Sequence, residues 1–227
     1  MEFEIFVIRH GQTNLNLEHR LQGSGCDFKL NETGRNQARS LSDSKILPNN
    51  AEIICSPMRR TIETAEIACN KERDEIKIDK RIIDRNMGNF EGNTKAENAK
   101  ILEKYENISM YECYEEGVER TEEYMGRLKS FLRDLTLDCK QKLHTNDPRA
   151  IIVVTHCGCS HYLMQLVADM IPNLNPQIKE DCNRKWPLNT AYSKFKINFD
   201  SDQNSSFEIC FLCCSDHLSS LKKNANK

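Results

Sequence analysis

The run Ile5-Phe6-Val7-Ile8-Arg9-His10-Gly11-Gln12-Thr13-Asn14-Leu15-Asn16 opens with four apolar residues and stops on an arginine, a histidine and a glycine. Four consecutive apolar residues without alternation fit a strand buried on both faces, as in parallel sheets covered by helices. Such a strand delivers Arg9 and His10 at its carboxyl end, where open α/β sheets bind their ligands. The arginine brings a permanent fork of donors suited to phosphate, and the histidine a nucleophile or base near neutral pH. The glycine lets another backbone come close. Taken alone, the tripeptide describes a strand turning at the surface better than it describes a site.

The same layout returns further along the chain. Ala150-Ile151-Ile152-Val153-Val154 runs into Thr155-His156-Cys157-Gly158 and then into a helical stretch through Leu163, Leu166 and Val167. Ile53-Ile54-Cys55 is a third apolar run; Ser56-Pro57 after it reads as an N-cap with proline at the first helical position, opening a helix that carries Arg59 and Arg60. Ile76-Lys77-Ile78 offers another strand, with Asp84 just beyond it. A loop over 17–29 and a helix over about 33–44 separate the first two strands. Residues 94–142 read as mostly helical and charged, interrupted near Glu115-Glu116-Gly117. Strands near 192–199 and 207–213 complete the sheet. The expectation is an α/β fold: a mostly parallel central sheet flanked by helices on both faces, with a helical insertion near 93–145. A single domain over 1–221 and a disordered lysine-rich tail over 222–227 are expected.

The composition fits a soluble globular chain: 227 residues, 29% charged, 38% hydrophobic, with a formal net charge of -2. That charge supplies no global basic field for nucleic acid or an anionic membrane. No run is as long as a membrane span, and the first strand begins almost at Met1, so a cytoplasmic protein is expected. The eleven cysteines lack the spacing of a disulfide scaffold and read as free thiols. Cys157 and Cys159 with His156 and His161, and Cys210, Cys213 and Cys214 with His217, are the densest groups. Neither contains paired Cys-x-x-Cys units, and Cys210 and Cys213 fall inside a strand-like run, so no metal is expected.

Arg9, His10, Arg60, Asp84 and His156 together meet the needs of phosphoryl transfer through a covalent intermediate. Arginines hold the phosphate oxygens, one histidine attacks phosphorus, and an acid protonates the leaving oxygen. In order and spacing the sequence resembles the histidine phosphatase (phosphoglycerate mutase-like) superfamily. The opening Arg-His-Gly-x-Thr-x-x-Asn is met by Arg9, His10, Gly11, Thr13 and Asn16, and the next block by Gln22-Gly23, Asp27, Leu30, Gly34, Gln37 and Ala38. Ser56, Met58, Arg60, Thr64 and Ala65 match the following helix start, which selects Arg60 over Arg59; Val153-Val154-Thr155-His156 with Gly158 matches the second histidine block. Leu21-Gln22-Gly23-Ser24-Gly25-Cys26-Asp27, Asn189-Thr190-Ala191, Ile197-Asn198-Phe199 and Cys210 through Leu218 look most like the TIGAR-type fructose-2,6-bisphosphatase branch.

The resemblance implies that His10, Asp84 and His156 are catalytic: His10 becomes phosphorylated, Asp84 is the general acid, and His156 helps hold the transferring group. Arg9, Asn16, Gly23, Arg60 and Cys157 would bind the substrate phosphate. The superfamily usually has glutamate where Asp84 stands, and one methylene less shortens the reach by about 1 Å, a displacement able to lower the rate by on the order of 100-fold. Glu91 is a fallback acid. Cys157 stands where glycine is common. Glu119, in Gly117-Val118-Glu119-Arg120, is either a second acid beside the pocket or a solvated helix-start carboxylate. The resemblance implies a phosphatase of a sugar phosphate or other small phosphorylated metabolite, with fructose 2,6-bisphosphate the first candidate and 2,3-bisphosphoglycerate the next, and no metal or other cofactor. A phosphoglycerate mutase and a phosphate-binding pseudophosphatase, weakened by Asp84, are the alternatives.

Overall fold

The opening apolar run forms strand β1 (Glu2–Arg9) in the computed structural model, which describes residues 1–219 and 221. After it come a one-turn helix α1 (Asn14–Leu17), α2 (Glu32–Asp43), β2 (Glu52–Cys55), α3 (Arg59–Cys69) and β3 (Ile76–Ile78). Helices α4 (Lys95–Leu102) and α5 (Thr121–Gln141) precede β4 (Ala150–Thr155), α6 (Cys157–Asp169) and α7 (Pro176–Arg184). The antiparallel β5 (Tyr192–Phe199) and β6 (Ser205–Cys214) close the sheet.

The strands lie in the order β3-β2-β4-β1-β5-β6. The four from β3 to β1 are parallel, and β5 joins β1 antiparallel. Alternate side chains of β1 serve two cores, as the two-residue period of a strand requires. Phe3, Ile5 and Val7 pack with Ile151 and Val153 of β4 against Tyr124, Leu128 and Phe131 of α5 and Leu163 and Val167 of α6. Phe6 and Ile8 pack on the other face with Ile152, Val154, Ala38 and Leu41 of α2 and Ala65 and Ala68 of α3. Helices on both faces explain why β1 and β4 read as unbroken apolar runs. In the β1–β4 ladder Arg9 pairs with Thr155, so His10 and His156 leave adjacent strands side by side.

Two local readings need correction. The helix after β2 starts at Arg59, with Met58 at its N-cap and no side-chain cap. Ser56 is not that cap, because its hydroxyl is bonded to His156 Nε2 at 2.7 Å. In the insertion, α4 and α5 are separated by loop and short 3₁₀ turns at Met110–Glu112 and Tyr114–Glu116. Met87, Phe90, Cys113 and Val118 form a small core of their own there, with Ile101, Leu102 and Tyr105 packed on it. Those residues gather from several turns and keep no helical period. The expected tail over 222–227 lies outside the described residues.

Gly34, in the first turn of α2, packs on the chain just after β1. A Cβ on Gly34 would stand 2.1 Å from the Gln12 carbonyl oxygen and 2.7 Å from its nitrogen. Glycine to alanine in an unconstrained helix adds up to about 1 kcal/mol. Here Gly34→Ala is expected to remove about 1–3 kcal/mol, because the backbone it meets has to shift. Urea unfolding measures this, and a gain in stability would contradict the close approach.

Candidate active site

His10 sits just past the end of β1, buried, and its backbone N–H donates to Thr155 O at 2.9 Å. The next amide, of Gly11, donates to Thr64 Oγ1 at 2.9 Å, and that hydroxyl donates to Arg60 O at 2.6 Å. The imidazole Nδ1 lies 2.7 Å from Gly11 O. A carbonyl only accepts, so the proton is on Nδ1 and Nε2 keeps a free lone pair. Burial lowers the pKa of His10 well below the usual histidine value, and the charges of Arg60 and Arg9 lower it further. His10 is therefore neutral at neutral pH, as a nucleophile must be.

Arg60 is fully buried and ties two loops to the start of α3. It donates to Cys26 O at 2.6 Å, to Gly23 O at 2.8 Å and to Asp84 Oδ2 at 3.2 Å. Arg59, the neighbour the motif passed over, is exposed and pairs with Asp27 at 3.6 Å. Arg9, the last residue of β1, donates from Nη1 to Pro187 O at 2.8 Å. His156 is also neutral, its pKa lowered first by burial and then by Arg60. Its ring centroid lies 5.4 Å from that of His10, and its Nδ1 is 3.6 Å from Asp84 Oδ2. Arg9 Nε, Arg60 Nε and His156 Nδ1 are buried without a hydrogen-bond partner among the described residues. Buried polar atoms are nearly always paired, so three such nitrogens around one histidine mark a place for an anion.

Asp84 does reach the cluster: one oxygen meets Arg60 and the other accepts from Arg85 N at 3.1 Å. Asn16 lines the same cavity, with its Oδ1 accepting from Thr13 N at 3.2 Å and Asn189 Nδ2 at 3.2 Å. Gly23 lines it too, in the left-handed region at φ 65°, where a Cβ would meet Glu91 Oε1 at 2.1 Å. Cys157 is the first residue of α6, at the end of a helix whose leading amides have no intrahelical acceptor. Glu91 has a structural part: its oxygens accept from Gly25 N and Met87 N at 2.7 and 2.8 Å and so hold the 23–25 turn in place. Glu119 is not a solvated carboxylate: Arg127 grips both its oxygens, at 2.7 and 3.0 Å, and it lines a neighbouring cleft that shares Asp84 with this one.

The cavity measures about 290 Å³, and its wall includes residues the sequence did not single out, among them Arg20, Arg85, Tyr111, Tyr162 and Trp186. Thr64 was marked by motif position alone, and Ser56 by motif position and as a cap; the structure shows Ser56 bonded to His156 and Thr64 to the Gly11 amide. Asn189 Nδ2 also donates to His10 O at 3.0 Å, which braces the turn below the nucleophile. All eleven cysteines are free thiols. Among the described residues no group of three or more His, Cys, Asp or Glu is placed to hold a metal ion, and no helix is long and apolar enough to cross a membrane.

A largely parallel α/β sheet with two histidines and two arginines gathered at its carboxyl edge is the architecture of a phosphate-handling enzyme. Residues 5–184 match the histidine phosphatase superfamily (branch 1), and the chain belongs to that superfamily. Among its relatives is the fructose-2,6-bisphosphatase TIGAR of Xenopus tropicalis, 31% identical over 274 residues, covering 99% of this chain and 98% of that one. The phosphoglycerate mutase-like protein 4 of Arabidopsis thaliana is 33% identical over 206 residues, covering 88% of this chain and 81% of that one. A probable phosphatase of Schizosaccharomyces pombe is 33% identical over 161 residues, 70% of this chain and 71% of its own. The native structure of a mycobacterial glucosyl-3-phosphoglycerate phosphatase shares the fold with a TM-score of 0.71 at 18% identity, covering 95% of this chain and 100% of that chain.

The two neutral imidazoles make stability depend on pH. Their pKa values are lowered on folding, so the unfolded chain takes up protons first as the pH falls below about 6.5. The stability present above that pH is lost progressively on acidification. The urea midpoint of the wild type is expected to fall between about pH 7.5 and about pH 5.5, and that of His10→Asn to fall less. An equal fall in the two proteins would contradict a neutral, buried His10.

Proposed function

We propose that the protein hydrolyses a small phosphate monoester by way of a phosphoryl group carried on His10. The three unpartnered nitrogens of Arg9, Arg60 and His156 beside a neutral His10 carry this reading, since they supply donors where a phosphoryl group would sit. His10 Nε2 attacks phosphorus in line with the ester oxygen. The bond to that oxygen breaks, and Asp84 passes it a proton. Water, giving its proton to Asp84, then attacks the phosphoryl group, breaks the N–P bond and frees His10. Asn16, the turn at Gly23 and the leading amides of α6 at Cys157 complete the cradle.

A cavity of about 290 Å³ suits a small metabolite rather than a polymer. Kinship over nearly the whole chain with a protein named for fructose 2,6-bisphosphate makes that compound the first to assay. A second reading, weak turnover, is favoured by the short Asp84 side chain being engaged with Arg60.

Phosphate release from fructose 2,6-bisphosphate, 2,3-bisphosphoglycerate and 3-phosphoglycerate, with His10→Ala as the blank, tests the proposal. Release from at least one compound is expected, with Asp84→Asn lowering kcat by about 100-fold or more. A rise in kcat with Asp84→Glu would show that the short acid limits the rate. Isomerisation of 3-phosphoglycerate without phosphate release would point to a mutase, and no turnover above the blank would defeat the enzymatic reading.

A further inference from the structure

Part of the cavity wall is made of aromatic rings. Trp186 stands at its edge, 49% exposed, with Tyr111 and Tyr162 nearby. Tryptophan is highly buried on average, so an indole left half in water beside a reactive cavity calls for a reason. It is also held firmly. The His161 ring stacks on it with centroids 3.8 Å apart and planes at 14°. Tyr162 meets it edge-on at 6.3 Å and 85°.

His161 is itself fixed at both nitrogens. Its Nδ1 donates to Lys185 O at 3.0 Å, and its Nε2 then accepts from Gln165 Nε2 at 3.1 Å. The imidazole is therefore a neutral plate carried by α6, the helix that begins at the phosphate end of the cavity. The residue after the indole, Pro187, accepts through its carbonyl from Arg9 at 2.8 Å. The shelf is thus joined to the proposed phosphate clamp through one peptide unit.

Two further cations line the cavity, and both are drawn to other acceptors. Arg20 donates to Glu18 at 3.0 Å, to Gly92 O at 2.8 Å and to Glu97 at 3.2 Å. Arg85 donates to Glu119 O, Tyr111 O and Thr121 Oγ1 at 2.6 to 3.0 Å. A second phosphate on the leaving group would compete with those acceptors for the same two guanidiniums, whereas a flat ring meets aromatic faces at once.

We infer that Trp186, held by His161, is a specificity-determining residue that stacks on a planar ring of the leaving group. The favoured substrates are then monoesters of aromatic or other flat ring alcohols, ahead of bisphosphates and acyclic polar esters. This rests on the phosphatase reading above and orders its candidate substrates by the lining of the cavity rather than by kinship.

Trp186 is the single tryptophan of the chain, so its emission reports the shelf directly. Wild-type protein titrated with phenylphosphonate and with methylphosphonate, neither of which can lose its group by ester hydrolysis, reads the inference without turnover. Phenylphosphonate is expected to bind about 10-fold more tightly and to change the emission, and Trp186→Ala to erase that preference while Trp186→Phe keeps most of it. Equal affinity for the two probes, unchanged emission at saturating phenylphosphonate, or a preference that survives Trp186→Ala would overturn the inference. Hydrolysis of phenyl phosphate against the His10→Ala blank is scored separately. If turnover is absent while the phenyl preference holds, the phosphatase reading fails and the shelf stands.

Discussion

The hydrogen bond from His10 Nδ1 to the carbonyl of the next residue, 2.7 Å long and buried, is the constraint on which the site depends. It fixes the tautomer, so that Nε2 carries the lone pair, and it fixes the ring plane. It exists because β1 ends at Arg9 and the chain turns at once, a turn braced by Thr64 on the Gly11 amide and by Asn189 on the His10 carbonyl. Burial and two guanidiniums keep the ring neutral. The proposed nucleophilic atom, Nε2, therefore has its lone pair free near neutral pH.

The same logic of forced geometry explains Arg60. A fully buried guanidinium is tolerable only if it is hydrogen-bonded and paired. Gly23 O, Cys26 O and Asp84 supply that, and so the arginine holds the 23–26 turn and the 84 loop against the start of α3. Its remaining Nε is left over for an anion. Structure and chemistry are shared by one side chain, and a loop displaced at Gly23 would also displace the phosphate clamp.

Much of this was readable from the chain. Unbroken apolar runs marked β1 and β4 as doubly covered strands, and their ends located His10 and His156 because a parallel register places equivalent strand ends together. The motif spacing separated Arg60 from Arg59, which burial then explains. The rest was hidden for physical reasons. Ser56 read as a cap because local sequence cannot show a hydroxyl drawn off to a histidine 100 positions away. Met87, Phe90, Cys113 and Val118 meet in a miniature core without any period. Glu119 kept its family position, yet its chemistry is decided by Arg127, eight residues on in α5. Trp186 stands alone between α7 and β5, where no periodicity marks a residue as facing a site.

Phosphorus-nitrogen coupling measured by NMR on 15N-histidine-labelled protein, trapped during turnover at alkaline pH where phosphohistidine persists, tests the central claim most directly. The account predicts a single phosphoryl group on Nε2 of His10, absent from His10→Ala. A phosphoryl group on Nδ1 of His10, or on His156, would contradict it.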